Sequence, residues 1–146
     1  MTEDTTLEIT RVFDAPAADV FDAWVKPEQW QSWIAPEGVN CSVVLVEPHV
    51  GGRHRTENHM ADGRVIPVIG VYKVFDRPKA LSFTWGWETD PSRQSLISIA
   101  LSEQNGTTEL IFRQEGLGSP ASRESHRRGW GNVLTELSNF LAREKK

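Results

Sequence analysis

Cysteine is almost missing from this chain, since Cys41 is the only one among 146 residues. No disulfide can therefore form within the chain, and zinc sites built from several thiolates are excluded as well. A sequence with one free thiol fits a reducing compartment. We therefore expect a cytoplasmic protein rather than a secreted one stabilised by disulfides.

Long apolar runs are missing too. No segment approaches the roughly 20 apolar residues that a membrane-spanning helix needs. The first ten residues, MTEDTTLEIT, are polar and acidic where a secretory signal peptide would carry an apolar centre. The sequence therefore predicts a soluble protein without membrane insertion.

Positive charge is in deficit, with 16 Lys and Arg against 20 Asp and Glu and a net charge of −4. Nucleic acids and anionic membranes are negatively charged, so neither is expected as a partner.

Familiar catalytic and cofactor motifs are missing as well. The sequence has no Gly-rich phosphate loop and no nucleophile elbow. Its histidines at 49, 54 and 59 are five residues apart, so in a strand His54 points to the opposite face from His59. This spacing disfavours a shared metal, and we expect neither a metal nor a cofactor.

Aromatic residues and alternating patterns are abundant instead. The chain has six Trp and six Phe, and apolar residues alternate with polar ones in several segments, which is the period of a half-buried strand. Asp62-Gly63 and Asn105-Gly106 are typical hairpin turns, so the sheet should be mostly antiparallel. The predicted strands are Thr5–Phe13, Val43–Glu47, Gly51–Met60, Val65–Phe75, Leu81–Trp87, Ile97–Ser102 and Thr108–Gln114.

Two short helices are predicted between the first and second strands. Pro16 fits the first position of a helix, and the pair Lys26-Pro27 ends it because the residue before a proline disfavours helix. Pro27 then opens a second helix, which ends at Pro36-Glu37-Gly38. The second helix carries the apolar residues Trp30, Trp33 and Ile34.

A long helix closes the chain. Ser119 fits its N-cap and Pro120 its first position, and helical periodicity continues to about residue 143. The apolar stripe of this helix needs a partner, and the sheet is the available one. We therefore predict one α+β domain over residues 1–146, with a seven-stranded sheet packed on the helix. The stripe consists of Trp130, Val133, Leu134, Leu137, Phe140 and Leu141.

Two aromatic features bear on function. Gly129 and Gly131 flank Trp130 in the middle of the final helix, where each Gly costs about 1 kcal/mol relative to Ala. They indicate either a packing device, through close approach or bending of the helix, or a helix wall on which Trp130 borders a cavity. On the fifth strand, residues 83–87 place three large rings on one face, which forms either plain core or an aromatic pocket.

The third strand is unusual because its sequence, GGRHRTENHM at 51–60, has almost no apolar residue. Its long charged side chains fall on one face, which belongs in water. His54, Thr56 and Asn58 fall on the other face and are predicted to point inward. Buried polar groups need hydrogen-bond partners, which are either each other and water or a ligand in a cavity.

Six segments of the chain match a known family in the family's order. They are ITRVFDAPAADVFDAWVKPEQWQSWIAPEG at 9–38, VGGR at 50–53, DGR at 62–64, GVYKVFDRPKALSFTWGW at 70–87, GTTELIFRQEGL at 106–117 and GWGNVLTELSNFL at 129–141. With these segments the chain resembles the SRPBCC superfamily, also called START-like or Bet v 1-like. Within it, the chain is similar to bacterial relatives of the Hsp90-ATPase-activator C-terminal domain.

This resemblance implies a helix-grip fold, in which a curved antiparallel sheet grips the C-terminal helix and the two short helices form one end of a cavity. In many relatives, the cavity holds an apolar or amphipathic ligand. Relatives commonly carry aromatic and aliphatic residues at the inward positions of the strand after the Gly-Gly pair. Here those positions hold His54, Thr56 and Asn58, so we expect a pocket with polar walls.

Three functions stay open at this point. The first is non-catalytic binding of a small apolar or amphipathic molecule in the cavity. The second is a co-chaperone or stress-response interaction protein with a chaperone as partner. The third is an enzyme of cyclase or hydrolase type, in which His54 and His126 meet across the cavity as acid and base. The predicted ligand-binding residues are Trp33, His54, Thr56, Asn58, Tyr72, Phe83, Trp85, Gln114, His126 and Trp130.

Overall fold

The fold is a curved antiparallel sheet that holds a long C-terminal helix, described by a computed structural model over residues 5–35, 40–90 and 93–144. Its elements are β1 (Leu7–Phe13), α1 (Ala17–Val25), α2 (Pro27–Trp30), β2 (Asn40–Val46), β3 (Arg53–His59), β4 (Val65–Asp76), β5 (Ala80–Trp87), β6 (Ser95–Gln104), β7 (Thr107–Glu115) and α3 (Pro120–Glu144). The strands pair in the order β1-β7-β6-β5-β4-β3-β2. This arrangement confirms the predicted α+β helix-grip class.

The entry to α1 differs from the prediction by one residue. Pro16 occupies the N-cap with an extended backbone, at φ −63° and ψ 151°, rather than the first helical position. A side chain from another element caps the helix, because the backbone N–H of Ala17 donates to Oε1 of Glu103 over 2.7 Å. This contact connects the start of α1 to the far end of β6.

The second helix is shorter than predicted. It ends at Trp30, so Trp33 lies in the turn that follows. Trp33 is nevertheless held in the core: its Nε1 donates to the carbonyl of Ala23 over 3.0 Å, and its ring meets Trp24 edge-on at 4.6 Å between centroids. The predicted helix end at residues 36–38 lies outside the described residues.

The final helix is buried along only part of its length. Of the described residues from Pro120 to Gly129 none is buried, whereas six residues between Trp130 and Leu141 are. Arg11 of β1 holds the helix where the stripe begins, donating from Nη2 to the carbonyl of Gly131 over 3.1 Å. None of the described helices, α3 included, has the length and apolar character needed to cross a membrane.

Thr108 joins β7 to the segment that leads into α1. Its side chain is fully buried, and Oγ1 donates to the carbonyl of Ala15 over 2.7 Å. A buried carbonyl that loses its only donor keeps the full cost of its desolvation. This hydrogen bond should therefore matter more to stability than its single contact suggests.

The substitution Thr108→Val keeps the shape of the side chain and removes the donor. We expect the free energy of unfolding, measured by urea titration, to fall by about 1–3 kcal/mol. Thr107→Val, on the preceding and partly exposed residue, is the matched control and should change it by less than about 0.5 kcal/mol. Equal losses in the two variants would contradict this role.

Candidate functional site

A cavity lies between the unburied first half of α3 and the sheet. It has two adjoining chambers that share the lining residues Val68, Trp85, Trp87 and His126. We call them the inner chamber, of about 210 Å³, and the outer chamber, of about 810 Å³. The inner chamber is also lined by Ile34, Cys41, Thr56, Asn58, Ser125, Gly129, Trp130 and Val133. The outer chamber is also lined by Gly86, Asp90, Arg93, Gln94, Ser95, Gln114, Gly116, Leu117, Gly118, Ser119 and Ser122.

The inner chamber is mainly apolar. The rings of Trp85 and Trp130 lie 5.6 Å apart between centroids, and both border the chamber. Cys41 also lines the chamber, and burial raises the pKa of its thiol to about 11. The thiol is therefore protonated near neutral pH and is not an activated nucleophile. The chamber offers contact area to an apolar group and little reactive chemistry.

The outer chamber is more polar than the inner one, with polar and apolar surface in similar amounts, and hydrogen bonds fix several of its polar groups. Gln114 donates from Nε2 to Oγ of Ser95 over 2.8 Å, and Ser95 donates to the carbonyl of Trp85 over 3.0 Å. Nδ1 of His126 donates to the carbonyl of Ser122, one helical turn earlier, over 2.8 Å. The chamber can therefore orient the polar end of a ligand whose apolar part lies next door.

Thr56 and His54 point to the inner face of β3, as the alternation predicted, and each is 1% exposed. His54 does not reach the cavity, however. Its ring packs among aromatic rings, with centroids 5.2 Å from Phe83 and 5.8 Å from a stacked Trp85. Within the described residues, His54 lines neither chamber.

A gap between β4 and β5 receives the His54 ring. There the amide of Val71 donates to Oγ1 of Thr84 over 2.8 Å, and the carbonyl of Thr84 accepts from Nε2 of His54 over 2.8 Å. Gly70 makes this possible, because a Cβ at that position would collide with both the Thr84 carbonyl and Nε2 of His54. The sheet itself thus holds a neutral imidazole in its core.

Six of the ten predicted ligand-binding residues line the cavity, and four lie in the packed core. The predicted meeting of His54 and His126 across the cavity is wrong, because only His126 lines a chamber and the Trp85 ring stacks on His54. Ligand binding by any of the ten stays a prediction. The lining residues are Thr56, Asn58, Trp85, Gln114, His126 and Trp130. The core residues are Trp33, His54, Tyr72 and Phe83.

The sequence interpretation missed Trp87 as a lining residue. Its side chain is 50% exposed and borders both chambers. The sequence pattern does include Trp87, which continues the alternation of Phe83 and Trp85. Alternation alone, however, does not distinguish a ring in the core from a ring at a cavity wall. Trp87 is the last residue of β5.

The two glycines around Trp130 are not explained by close packing of the helix. A Cβ at Gly129 would meet nothing within 4 Å, and one at Gly131 would lie 3.6 Å from Nη2 of Arg11, an ordinary contact. Gly129 instead lines the inner chamber beside Trp130. Of the two interpretations of this motif, the structure supports a helix wall that borders a cavity.

His54 makes the stability of the fold depend on pH. Burial lowers the pKa of His54 from 6.5 to about 4 in the folded state. Between these values the unfolded chain binds more protons than the folded one, so the free energy of unfolding falls as the pH falls. We expect urea titrations to show a loss of up to about 3 kcal/mol between pH 7 and pH 4.

His54→Gln removes this titration and should flatten the dependence between pH 4 and pH 7. The control is His59→Gln on the other face of β3, which leaves His54 in place and should retain the loss on acidification. An unchanged slope in His54→Gln would show that other groups cause the effect.

Metal ligation and sequence similarity complete the description of the site. Across the described ranges, no three His, Cys, Asp or Glu side chains lie close enough together to hold a metal ion.

No curated protein matches the chain significantly. The family model described as "Activator of Hsp90 ATPase homolog 1-like protein", which is of SRPBCC type, matches residues 14–142.

Solved bacterial structures have the same fold. A protein from Chromobacterium violaceum is 25% identical, with a TM-score of 0.84 over 94% of this chain and 96% of that chain. The AHSA1 protein from Silicibacter pomeroyi is 24% identical, with a TM-score of 0.83 over 95% of this chain and 99% of that one. A protein from Arthrobacter aurescens is 18% identical, with a TM-score of 0.85 over 97% and 88%. Because the family model spans most of its length, the chain belongs to the family of activator of Hsp90 ATPase homolog 1-like proteins.

Proposed function

We propose that this protein binds a small amphipathic molecule in the two-chambered cavity and carries out no chemistry on it. The observation that supports this most is the division of the cavity, whose inner chamber is mainly apolar and whose outer chamber is of mixed polar and apolar lining. Pockets for small molecules combine apolar walls with a few placed polar groups. A ligand would lay its apolar part against Trp85 and Trp130 in the inner chamber and its head group near Gln114.

The residues around the cavity offer little support for catalysis. The acid–base pair on which an enzyme reaction would depend is not assembled, because His54 lies in the core and His126 at the cavity wall. The one thiol in the cavity wall, Cys41, has a raised pKa. We therefore favour a binding protein, located in the cytoplasm as its single cysteine suggests.

A chaperone partner is the second candidate. The family description and the name of the Silicibacter pomeroyi relative favour it. A docking face for such a partner should be apolar and exposed. Val12 and Ile111, 62% and 36% exposed, lie close together on the outer face of the β1–β7 pair. Adding the protein to a bacterial Hsp90 and finding an unchanged ATPase rate would remove this candidate.

The inner chamber can be filled from the helix side to test ligand binding. Gly129→Leu should fit the helix, because a Cβ there meets nothing within 4 Å, and its side chain would occupy the chamber. We expect the affinity for the uncharged fluorescent probe N-phenyl-1-naphthylamine to fall at least about tenfold. The leucine side chain takes the space of part of the probe, and each methylene-sized piece of apolar contact that is lost costs about 0.8 kcal/mol of binding free energy. Fluorescence titration measures this affinity.

The matched control is Asn132→Leu, which adds the same side chain to the exposed side of α3. It should bind the probe as the wild-type protein does. Absence of probe binding in the wild-type protein, or equal binding in the two leucine variants, would contradict a ligand site in the inner chamber.

A further inference from the structure

Gln114, next to the outer chamber, has a buried hydrogen-bond acceptor without a partner among the described residues. The residue lines this chamber, yet its side chain is 0% exposed. Its Nε2 donates to Ser95, whereas Oε1 has no hydrogen-bond partner among the described residues. Buried polar atoms in folded proteins are nearly always paired, so an unpaired one beside a cavity points to a missing partner.

The orientation of the Gln114 amide is determined by its neighbours. The carbonyl of Trp85 can only accept, so the single hydroxyl proton of Ser95 is used in donating to it. Towards Gln114, Ser95 Oγ can then only accept, and the amide must turn its NH₂ group to Ser95. Oε1 is therefore left as an acceptor without a partner, and a rotation of the amide that would put the NH₂ group in its place is disfavoured.

Other polar groups of the outer chamber agree with this arrangement. Because Nδ1 of His126 donates to the carbonyl of Ser122, the other ring nitrogen is an acceptor in the neutral imidazole. The carboxylate of Asp90 lies 3.7 Å from the guanidinium of Arg93, so each charge already has a counter-charge. The chamber therefore favours an uncharged group with a proton to donate.

We propose that the outer chamber selects ligands whose head group is an uncharged hydrogen-bond donor, such as a hydroxyl. The head group donates to Oε1 of Gln114, and the apolar tail lies in the inner chamber. Ser95 is a positioning residue that keeps the amide in the accepting orientation. This proposal rests on the proposed function, since it specifies the ligand of the same cavity.

Two isomers that differ only in the donor provide the test. 1-Octanol has a hydroxyl group, and heptyl methyl ether has the same atoms without a donor. By calorimetric titration of the wild-type protein, we expect octanol to bind about tenfold tighter than the ether, the effect of one well-placed hydrogen bond at a buried acceptor. Octanoate, which only accepts, should also bind more weakly than octanol.

The outcomes separate the two proposals. If N-phenyl-1-naphthylamine binds but octanol and the ether bind equally, the donor proposal fails and the proposed function stands. Tighter binding of octanoate than of octanol would likewise overturn it, in favour of an anion held near Arg93 and the start of α3. If neither the probe nor any of the three compounds binds, both proposals fail.

Variants test the role of Gln114 and Ser95. Gln114→Met should reduce octanol binding to the level of the ether and leave the ether unchanged. Ser95→Ala frees the amide to rotate, so the octanol-to-ether ratio should fall towards one while both compounds still bind. A merely structural role for Ser95 would weaken the binding of both ligands equally. An unchanged octanol-to-ether ratio in a folded Ser95→Ala protein would therefore overturn the proposal. This test holds even if Gln114→Met does not fold.

Gln104→Met is the matched control, because Gln104 is exposed at the end of β6 and lines neither chamber. It should retain the wild-type ratio. Loss of the ratio in Gln104→Met, with retention in Gln114→Met, would overturn the assignment of the acceptor to Gln114.

Discussion

Burial of the apolar stripe on the second half of α3 is the constraint on which the rest of this fold depends. Fully burying one large apolar side chain contributes about 1.5–3 kcal/mol, and the stripe holds six such residues between Trp130 and Leu141. The stripe begins only at Trp130, so packing the sheet against the residues from Pro120 to Gly129 would bury little apolar surface. A cavity under the first half of the helix follows from where the stripe starts.

Trp85 connects the packed core to this cavity. One side of its ring stacks on His54, its indole borders both chambers, and its carbonyl accepts from Ser95. The two buried polar residues on the inner face of β3, His54 and Thr56, therefore have different roles. His54 stabilises the floor of the cavity through the Thr84 carbonyl, whereas Thr56 belongs to the wall that a ligand would touch.

The cavity also accounts for features that cost stability. Gly129 is in a helix interior where Ala would be about 1 kcal/mol better, and it borders the inner chamber without a close contact at its Cβ position. Next to the outer chamber, Oε1 of Gln114 is buried without a partner among the described residues. Proteins commonly tolerate such local losses at functional sites, because optimising each position for stability would close the site.

Much of the fold followed from the sequence alone, because alternation and helical periodicity depend on neighbours along the chain. The period of two over residues 53–59 placed His54 and Thr56 inward, and the period of 3.6 located the buried stripe of α3. The same periods could not separate core from cavity wall, since an inward residue has the same pattern in both. Only the tertiary structure decided that His54 passes the gap at Gly70 to reach Thr84, and that Gln114 meets Ser95. Those contacts join residues from different strands, and their geometry depends on how the curved sheet brings the strands together.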